Sequence, residues 1–148
     1  MDLILWRHAD AEEGSDDMAR ALTPKGLKQA ARMAAWLEAR LPKNARVLVS
    51  PARRAQQTAQ PLSRMAATSN EIAPGAQAAV ILHAAGWPRD SGTVVVVGHQ
   101  PSLGAAAALA VTGKAAEWRM KKGGVWWISV KAGDSSPAVV AVMTPDLL

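Results

Sequence analysis

Histidine and arginine side chains follow three short apolar runs of the sequence, and together they are suited to phosphoryl transfer. Arg7 and His8 come directly after the first run. Arg54 follows the second run, and His99 follows the third. An imidazole with a pKa near neutrality is a nucleophile at phosphorus without an activating base. Guanidinium groups pair with phosphate oxygens, and a second, protonated imidazole would donate a further hydrogen bond, so this set requires no metal ion.

The apolar runs themselves predict the strands of a sheet. The first three are continuously apolar, which is typical of parallel strands that are buried on both faces. The last two are separated by a turn at residues 131–137, and they predict an antiparallel hairpin at an edge of the sheet. The five predicted strands are residues 3–6, 46–49, 93–97, 125–130 and 138–143.

Helical patterns fill the segments between these strands. The first predicted helix has Thr23 as its N-cap and Pro24 at its first position. A second starts at residues 50–51 and is kinked or ended by Pro61, and a third runs from Pro101 to Gly113. The inward positions of the first helix are expected to be Leu27, Ala30, Ala31, Ala34 and Leu37. Strands that alternate with helices predict an α/β protein with a parallel sheet covered on both faces.

Composition and charge narrow the possible functions. The chain has 148 residues, of which 49% are hydrophobic and 20% charged, and we expect residues 1–148 to form a single domain. It contains no cysteine, which excludes disulfides and thiolate zinc sites. The net charge of +5 favours an anionic partner. We interpret the basic residues near 114–122 as a solvated loop that steers phosphorylated substrates, with no nucleic-acid partner.

No segment of the sequence is long and apolar enough for a membrane span, and the N-terminus lacks the basic start of a signal peptide. We therefore expect a cytoplasmic protein that has no membrane partner.

Three motifs resemble those of the histidine phosphatase superfamily, which is also called phosphoglycerate mutase-like. Residues 5–9, Leu-Trp-Arg-His-Ala, are similar to its Arg-His-Gly signature, and residues 49–58 and 97–101 are similar to its second and third motifs. Residues 16–23, an acidic stretch followed by Arg-x-Leu-Thr, resemble the SixA-type phosphohistidine phosphatases. The resemblance implies a three-layer α/β/α sandwich with a mostly parallel sheet of five or six strands.

The resemblance also implies roles for individual residues. His8 would be the nucleophile that becomes phosphorylated, through the ring nitrogen left free by a backbone hydrogen bond. Arg7 and Arg54 would hold the phosphoryl oxygens, with His99 completing the pocket and Arg20 as a further phosphate ligand. The neighbouring Arg53 lacks the spacing of the motif, and we interpret it as a surface charge.

The sequence departs from the pattern of this family at two points. Ala9 stands where the signature has glycine. The glutamate that many relatives use as a proton donor has no clear counterpart, since only Glu71 and Asp90 lie between the second and third motifs. Asp90 precedes a strand and is expected at the wrong end of the sheet. The resemblance gives Asp17 as a candidate proton donor, because it stands where the SixA-type subgroup has a carboxylate near the pocket. The apparent loss of the glutamate favours cleavage of P–N over P–O bonds.

These observations predict a phosphatase that needs no cofactor and acts in signalling on phosphohistidine in a phosphorylated protein. Two alternatives are a phosphomonoesterase for small phosphorylated substrates and a phosphate-binding module without catalysis. A third alternative is a metal-dependent hydrolase, which would use His8, Asp10, His83 and His99 as ligands. That alternative leaves Arg7 and Arg54 without a role, and we interpret His83 as structural.

Overall fold

The computed structural model describes residues 1–148 and contains six strands and four α-helices. The strands are β1 (Asp2–Arg7), β2 (Arg46–Val49), β3 (Ala66–Thr68), β4 (Thr93–Gly98), β5 (Val125–Ser129) and β6 (Ala138–Met143). The helices are α1 (Pro24–Glu38), α2 (Arg53–Ala59), α3 (Ala78–Ala85) and α4 (Ser102–Thr112). Single 3-10 turns lie at Asp17–Ala19, Asn70–Ile72 and Pro145–Leu147.

All six strands belong to one sheet, in the order β3-β2-β4-β1-β5-β6. β1, β2, β3 and β4 run parallel, β5 runs antiparallel to β1, and β6 pairs antiparallel with β5 to form the expected hairpin. The sequence did not indicate β3, which is only three residues long and exposed throughout, so it lacks the apolar pattern of a buried strand.

Two apolar layers cover the faces of the sheet, and they explain the continuously apolar central strands. The side chains of Leu3 to Trp6 in β1 are fully buried, as are Val94 to Val97 in β4. Alternate residues of these strands face opposite sides, so one set packs beneath α1 and α2 and the other beneath α3 and α4. The result is the three-layer α/β/α sandwich that was expected.

The inward face of α1 differs from the prediction at two positions. Leu27 and Ala31 are exposed, whereas Gly26 and Met33 are buried together with the expected Ala30, Ala34 and Leu37. Gly26 sets this orientation because a side chain there would overlap the carbonyl oxygen of Asp10. The helix therefore turns its glycine toward the loop that follows β1.

The predicted helix ends are confirmed for α1 and α4, and the start of α2 is corrected. The Thr23 side chain accepts a hydrogen bond from the backbone of Gly26, and Gly113 ends α4 with a φ of +81°. α2 begins at Arg53, not at residues 50–51, because Ala52 is still extended. Its backbone N–H donates to the Ser50 hydroxyl at 3.2 Å, which holds a turn between β2 and the helix.

The carboxyl ends of β1, β2 and β4 lie side by side, since Arg7 pairs with Gly98 and Val49 with Val97. The segments that leave these three strands carry the histidines and arginines singled out above. None of the helices has the length and apolar character needed to cross a bilayer.

Candidate active site

The segments that follow β1, β2 and β4 surround an open pocket of about 230 Å³. Five of the six residues expected at the site line it: Arg7, His8, Arg20, Arg54 and His99. Arg7 ends β1, His8 follows it, and His99 follows β4. Arg54 lies in the first turn of α2, and Arg20 lies in the segment between β1 and α1.

The imidazole of His8 is held in one orientation by the backbone. Its Nδ1 atom lies 2.7 Å from the carbonyl oxygen of Ala9, so Nδ1 carries the proton and donates it in a hydrogen bond. Nε2 is then left with its lone pair. Burial lowers the pKa of His8 to about 4, and the positive charges of Arg54, Arg7 and Arg20 add to this shift. At neutral pH the ring is neutral and nucleophilic.

His99 is the second imidazole of the pocket, with its ring centroid 5.2 Å from that of His8. Its Nε2 lies 2.7 Å from the Ser50 hydroxyl, which connects the ends of β4 and β2. Burial, followed by the nearby His8 and Arg54, lowers the pKa of His99 to about 3. Without a bound anion, both imidazoles are therefore neutral at physiological pH.

The side chains of Arg7 and Arg54 are anchored by carbonyl oxygens of the backbone. Arg7 donates from one terminal nitrogen to the carbonyl of Met120 at 2.7 Å, and Arg54 donates to that of Asp17 at 2.7 Å. Burial, followed by the charge of Arg119, lowers the pKa of Arg7. Arg54 is only 4% exposed. Such anchoring holds the two positive charges in place before an anion binds.

Three buried side-chain nitrogens in the protein have no hydrogen-bond partner, and all three belong to this pocket. They are Nε of Arg7, Nε of Arg54 and Nδ1 of His99. Buried polar atoms without partners cost free energy of folding, so they are rare except where function requires them. Their concentration in three neighbouring residues makes this pocket the candidate functional site.

Asp17 joins two of the arginines instead of lining the pocket. One carboxylate oxygen lies 3.1 Å from Arg20 and the other lies 3.2 Å from Arg54. The hydrogen bond from Arg20, together with that from Arg54, lowers the pKa of Asp17. An ionised carboxylate has no proton to give, so these contacts give no support to the expectation that Asp17 is a proton donor.

Several other residues considered in the sequence lie away from the pocket. Arg53 is exposed beside the buried Arg54, as its interpretation as a surface charge requires. Asp90 lies 3.5 Å from Arg46, which begins β2, and is therefore at the opposite end of the sheet. Glu71 is exposed and does not line the pocket, and His83 lines a separate cavity beside Asp90.

The ligand set of a metal-dependent hydrolase does not come together in the structure. No three histidine, aspartate or glutamate side chains form a group that could hold a metal ion. Asp10, one of the suggested ligands, lies 2.8 Å from Lys122 and accepts a hydrogen bond from Thr23. Its carboxylate is therefore already satisfied by partners other than a metal ion.

Ala9, which replaces the glycine of the signature, fits without backbone strain. No residue other than glycine has a positive φ, so this position does not need glycine's freedom. The methyl group is fully buried against Leu22 and Ala30. The backbone N–H of Ala9 donates to the Thr58 hydroxyl at 3.0 Å, which ties the signature to α2.

The structure adds pocket residues that the sequence had not assigned to the site. Glu13 is the most informative, since it is the only acidic residue in the lining. Glu13 lies two residues beyond Ala11, and in an extended backbone two such side chains point to the same side. This spacing was the signal in the sequence that could have placed Glu13 beside the pocket. The other added residues are Ala11, Pro74, Gln100 and Lys122.

Histidines and arginines at the carboxyl ends of parallel strands in a three-layer sandwich form an arrangement suited to binding phosphate. A model of the histidine phosphatase superfamily, branch 1, matches residues 3–77, which is half of the chain. The chain belongs to the histidine phosphatase superfamily. A search of curated proteins found no match.

Solved structures share the fold over nearly the whole chain. The protein histidine phosphatase SixA complexed with tungstate has a TM-score of 0.84 at 22% identity and covers 99% of both chains. A proposed phosphohistidine phosphatase SixA from Nakamurella multipartitia has a TM-score of 0.79 at 28% identity, with 97% of this chain and 95% of the other covered. A phosphoserine phosphatase from Entamoeba histolytica has a TM-score of 0.73 at 17% identity and covers 99% of both chains.

Proposed function

We propose that this protein is a phosphatase that removes phosphoryl groups from phosphohistidine in proteins, through a phosphohistidine intermediate on His8. The observation that carries this proposal is the state of the His8 ring. Nδ1 of His8 is hydrogen-bonded to the carbonyl of Ala9, and the pKa of His8 is lowered to about 4. The ring lies in a pocket lined by arginines. A neutral imidazole among fixed positive charges is suited to attack a phosphoryl dianion.

In the first step, the lone pair of Nε2 of His8 forms a bond to phosphorus while the bond to the leaving group breaks. Arg7, Arg20 and Arg54 neutralise the charge on the three transferring oxygens. The ring centroid of His99 lies 5.2 Å from that of His8, and His99 would donate a hydrogen bond to the same oxygens once protonated. A bound dianion favours that protonation because opposite charges attract.

In the second step, water attacks the phosphoryl group on His8, and the P–N bond to Nε2 breaks. Phosphate leaves, and His8 returns to its neutral form with Nδ1 hydrogen-bonded to the carbonyl of Ala9. No step in this scheme uses a metal ion, since the arginines supply the positive charge. We therefore expect equal rates with and without a strong chelator, whereas activity that is lost on chelation and restored by zinc or manganese would contradict the scheme.

Three observations favour a P–N bond as the one that is cleaved. Asp17 is held ionised by Arg20 and Arg54, so it does not supply the proton that an alkoxide leaving group needs. A protonated phosphohistidine ring leaves as neutral imidazole, whose conjugate acid has a pKa of about 6.5. The relative from Nakamurella multipartitia, at 28% identity, is also proposed to act on phosphohistidine.

A phosphorylated protein is the proposed partner because the pocket lies open at the edge of the sheet. We propose that residues 1–148 act as one domain in this role, since the single sheet extends from β3 to β6 and the structural matches cover nearly the whole chain. A role in signalling and a cytoplasmic location stay predictions from the sequence.

The competing function is hydrolysis of small phosphomonoesters, because a phosphoserine phosphatase has the same fold. Measuring kcat/KM for a phosphohistidine-bearing protein, for phosphoserine and for a sugar phosphate separates the two. We expect the phosphohistidine substrate to have the highest kcat/KM. A clear preference for either ester would overturn the proposed substrate, and a protein that binds phosphate without turnover would overturn the proposed activity.

A further inference from the structure

The charges around the pocket are almost all positive, with one exception. Four basic side chains line it, and Glu13 supplies the only carboxylate; the basic residues are Arg7, Arg20, Arg54 and Lys122. A carboxylate next to an anion-binding site repels a simple phosphate ester. Its place in this pocket suits two roles, a proton donor like the glutamate of many relatives or a contact to a substrate that also carries a positive charge.

The backbone of the Glu13 segment is fixed against the segment that carries Arg20. Ala11 pairs with Leu22, the backbone N–H of Glu12 donates to the carbonyl of Ala21 at 2.8 Å, and Arg20 donates to the carbonyl of Glu12 at 2.7 Å. Ala11 and Glu13 both line the pocket, whereas Glu12 between them does not. This alternation is that of an extended backbone, so Glu13 is presented to the pocket by a fixed segment.

The Glu13 carboxylate forms no ion pair within the protein. Three of the pocket's four cations already have acidic partners, because Arg20 and Arg54 pair with Asp17 and Lys122 pairs with Asp10. The fourth, Arg7, donates to the carbonyl of Met120. The structure thus leaves one unpaired carboxylate at the mouth of an anion site.

We propose that the Glu13 carboxylate binds the protonated imidazole ring of a phosphohistidine substrate and so determines specificity, an inference that rests on the function proposed above. Protonated phosphohistidine carries a phosphoryl anion and a ring cation on the same group. The arginines receive the anion, and Glu13 accepts a hydrogen bond from the ring N–H. A phosphate ester offers no such cation.

This contact also favours the form of the substrate that reacts. When the P–N bond of a protonated ring breaks, its electron pair goes to the ring nitrogen and neutral imidazole leaves, while Nε2 of His8 forms the new bond to phosphorus. An unprotonated ring would have to leave as an anion, which is a far poorer leaving group. Glu13 holds the ring protonated and transfers no proton itself.

The test compares E13Q with E12Q on three substrates, phosphohistidine as the free amino acid, 4-nitrophenyl phosphate and glucose 6-phosphate. Glu12 is the matched control because it is the exposed neighbour that does not line the pocket. For E13Q we expect kcat/KM for phosphohistidine to fall about tenfold, the effect of losing one charge-assisted hydrogen bond. With 4-nitrophenyl phosphate or glucose 6-phosphate, kcat/KM should be unchanged or higher, and E12Q should match the wild type on all three substrates.

The pH profile supplies a second readout that a structural role would not change. The wild-type carboxylate keeps the substrate ring protonated to higher pH, so the alkaline limb of kcat/KM for phosphohistidine should lie at lower pH in E13Q. The profile for 4-nitrophenyl phosphate should be the same in both proteins.

Each of the other outcomes contradicts either the role of Glu13 or the proposed function. Equal losses on phosphohistidine and 4-nitrophenyl phosphate would show that Glu13 serves the fold, and an unchanged E13Q would show that it does not bind the ring. A loss on glucose 6-phosphate as large as that on phosphohistidine would show that Glu13 donates a proton to the leaving group, because a sugar alkoxide needs that proton and 4-nitrophenolate leaves without it. Each of these results overturns the role of Glu13 and leaves the proposed function standing, provided that the wild type hydrolyses phosphohistidine. If the wild type hydrolyses 4-nitrophenyl phosphate but not phosphohistidine, both are overturned.

Discussion

The Nδ1 atom of His8 lies 2.7 Å from the carbonyl oxygen of Ala9, the next residue in the chain. This contact assigns the ring proton to Nδ1 and leaves Nε2 with a free lone pair. Because His8 directly follows β1, the parallel sheet carries this ring to the same edge as His99 and Arg54. The carboxyl end of one strand thus supplies an oriented nucleophile.

His8 should stay neutral well below the pH at which an ordinary histidine is protonated. Burial and the charges of three arginines lower its pKa to about 4, so the cationic form should appear only as the pH falls through that value. Nitrogen chemical shifts of the His8 ring, recorded by NMR across the pH range without a bound anion, measure this directly. Signals are assigned with H8Q and H99N. Titration of His8 at about pH 6.5, the ordinary value, would contradict the proposed electrostatics of the pocket.

Arg54 and Arg53 are adjacent, yet their substitution should have very different effects. Arg54 is 4% exposed and lines the pocket, whereas Arg53 is exposed outside it. We expect R54Q to lower kcat/KM by about a hundredfold, because a preorganised donor to the transferring phosphoryl group is lost. R53Q should remain within about twofold of the wild type, as a surface charge would. Similar losses in the two variants would show that general charge, and not the position of Arg54, supports the reaction.

Asp17 should act by holding Arg20 and Arg54 and not by donating a proton. For D17N we therefore expect a loss in kcat/KM of less than about tenfold on every substrate, because the Asp17 carboxylate is half exposed and Arg54 keeps its hydrogen bond to the Asp17 carbonyl, with most of the change in KM. D16N is the matched control, since Asp16 is an exposed neighbour whose side chain does not cap the following turn. A fall in kcat of about a hundredfold or more, confined to phosphoserine, would identify Asp17 as the general acid.

Much of the fold could be predicted because buried parallel strands have a simple sequence pattern. The continuous apolar runs located β1, β2 and β4, and the turn at 131–137 located the hairpin of β5 and β6. β3 could not be predicted, since it is held by hydrogen bonds to β2 and buries no side chain. The orientation of α1 was wrong at Leu27 and Ala31 because helical spacing alone did not show how closely Gly26 approaches Asp10.

For the site, as for the fold, local sequence patterns could be interpreted, whereas contacts between residues far apart in the sequence could not. The motifs after each strand pointed to His8, Arg54 and His99, and the structure brings these three residues together in one pocket because parallel strands end at a common edge. The partners that orient them were less accessible to sequence reasoning. Ser50 and His99 are hydrogen-bonded across the ends of two strands, and Asp17 accepts a hydrogen bond from Arg54, which is 37 residues away in the sequence. Neither contact can be recognised from neighbouring residues in the sequence.

The central claim is that the phosphoryl group passes through Nε2 of His8, and trapping the intermediate tests it most directly. The protein is mixed with a phosphohistidine substrate, quenched in base during turnover and digested, and the phosphorylated peptide is identified by mass spectrometry. The proposed mechanism predicts an acid-labile, base-stable phosphoryl group on His8 in the wild type and none in H8A, which should also lose turnover. Turnover that leaves the phosphoryl group on another residue, or that continues at a near-normal rate in H8A, would contradict it.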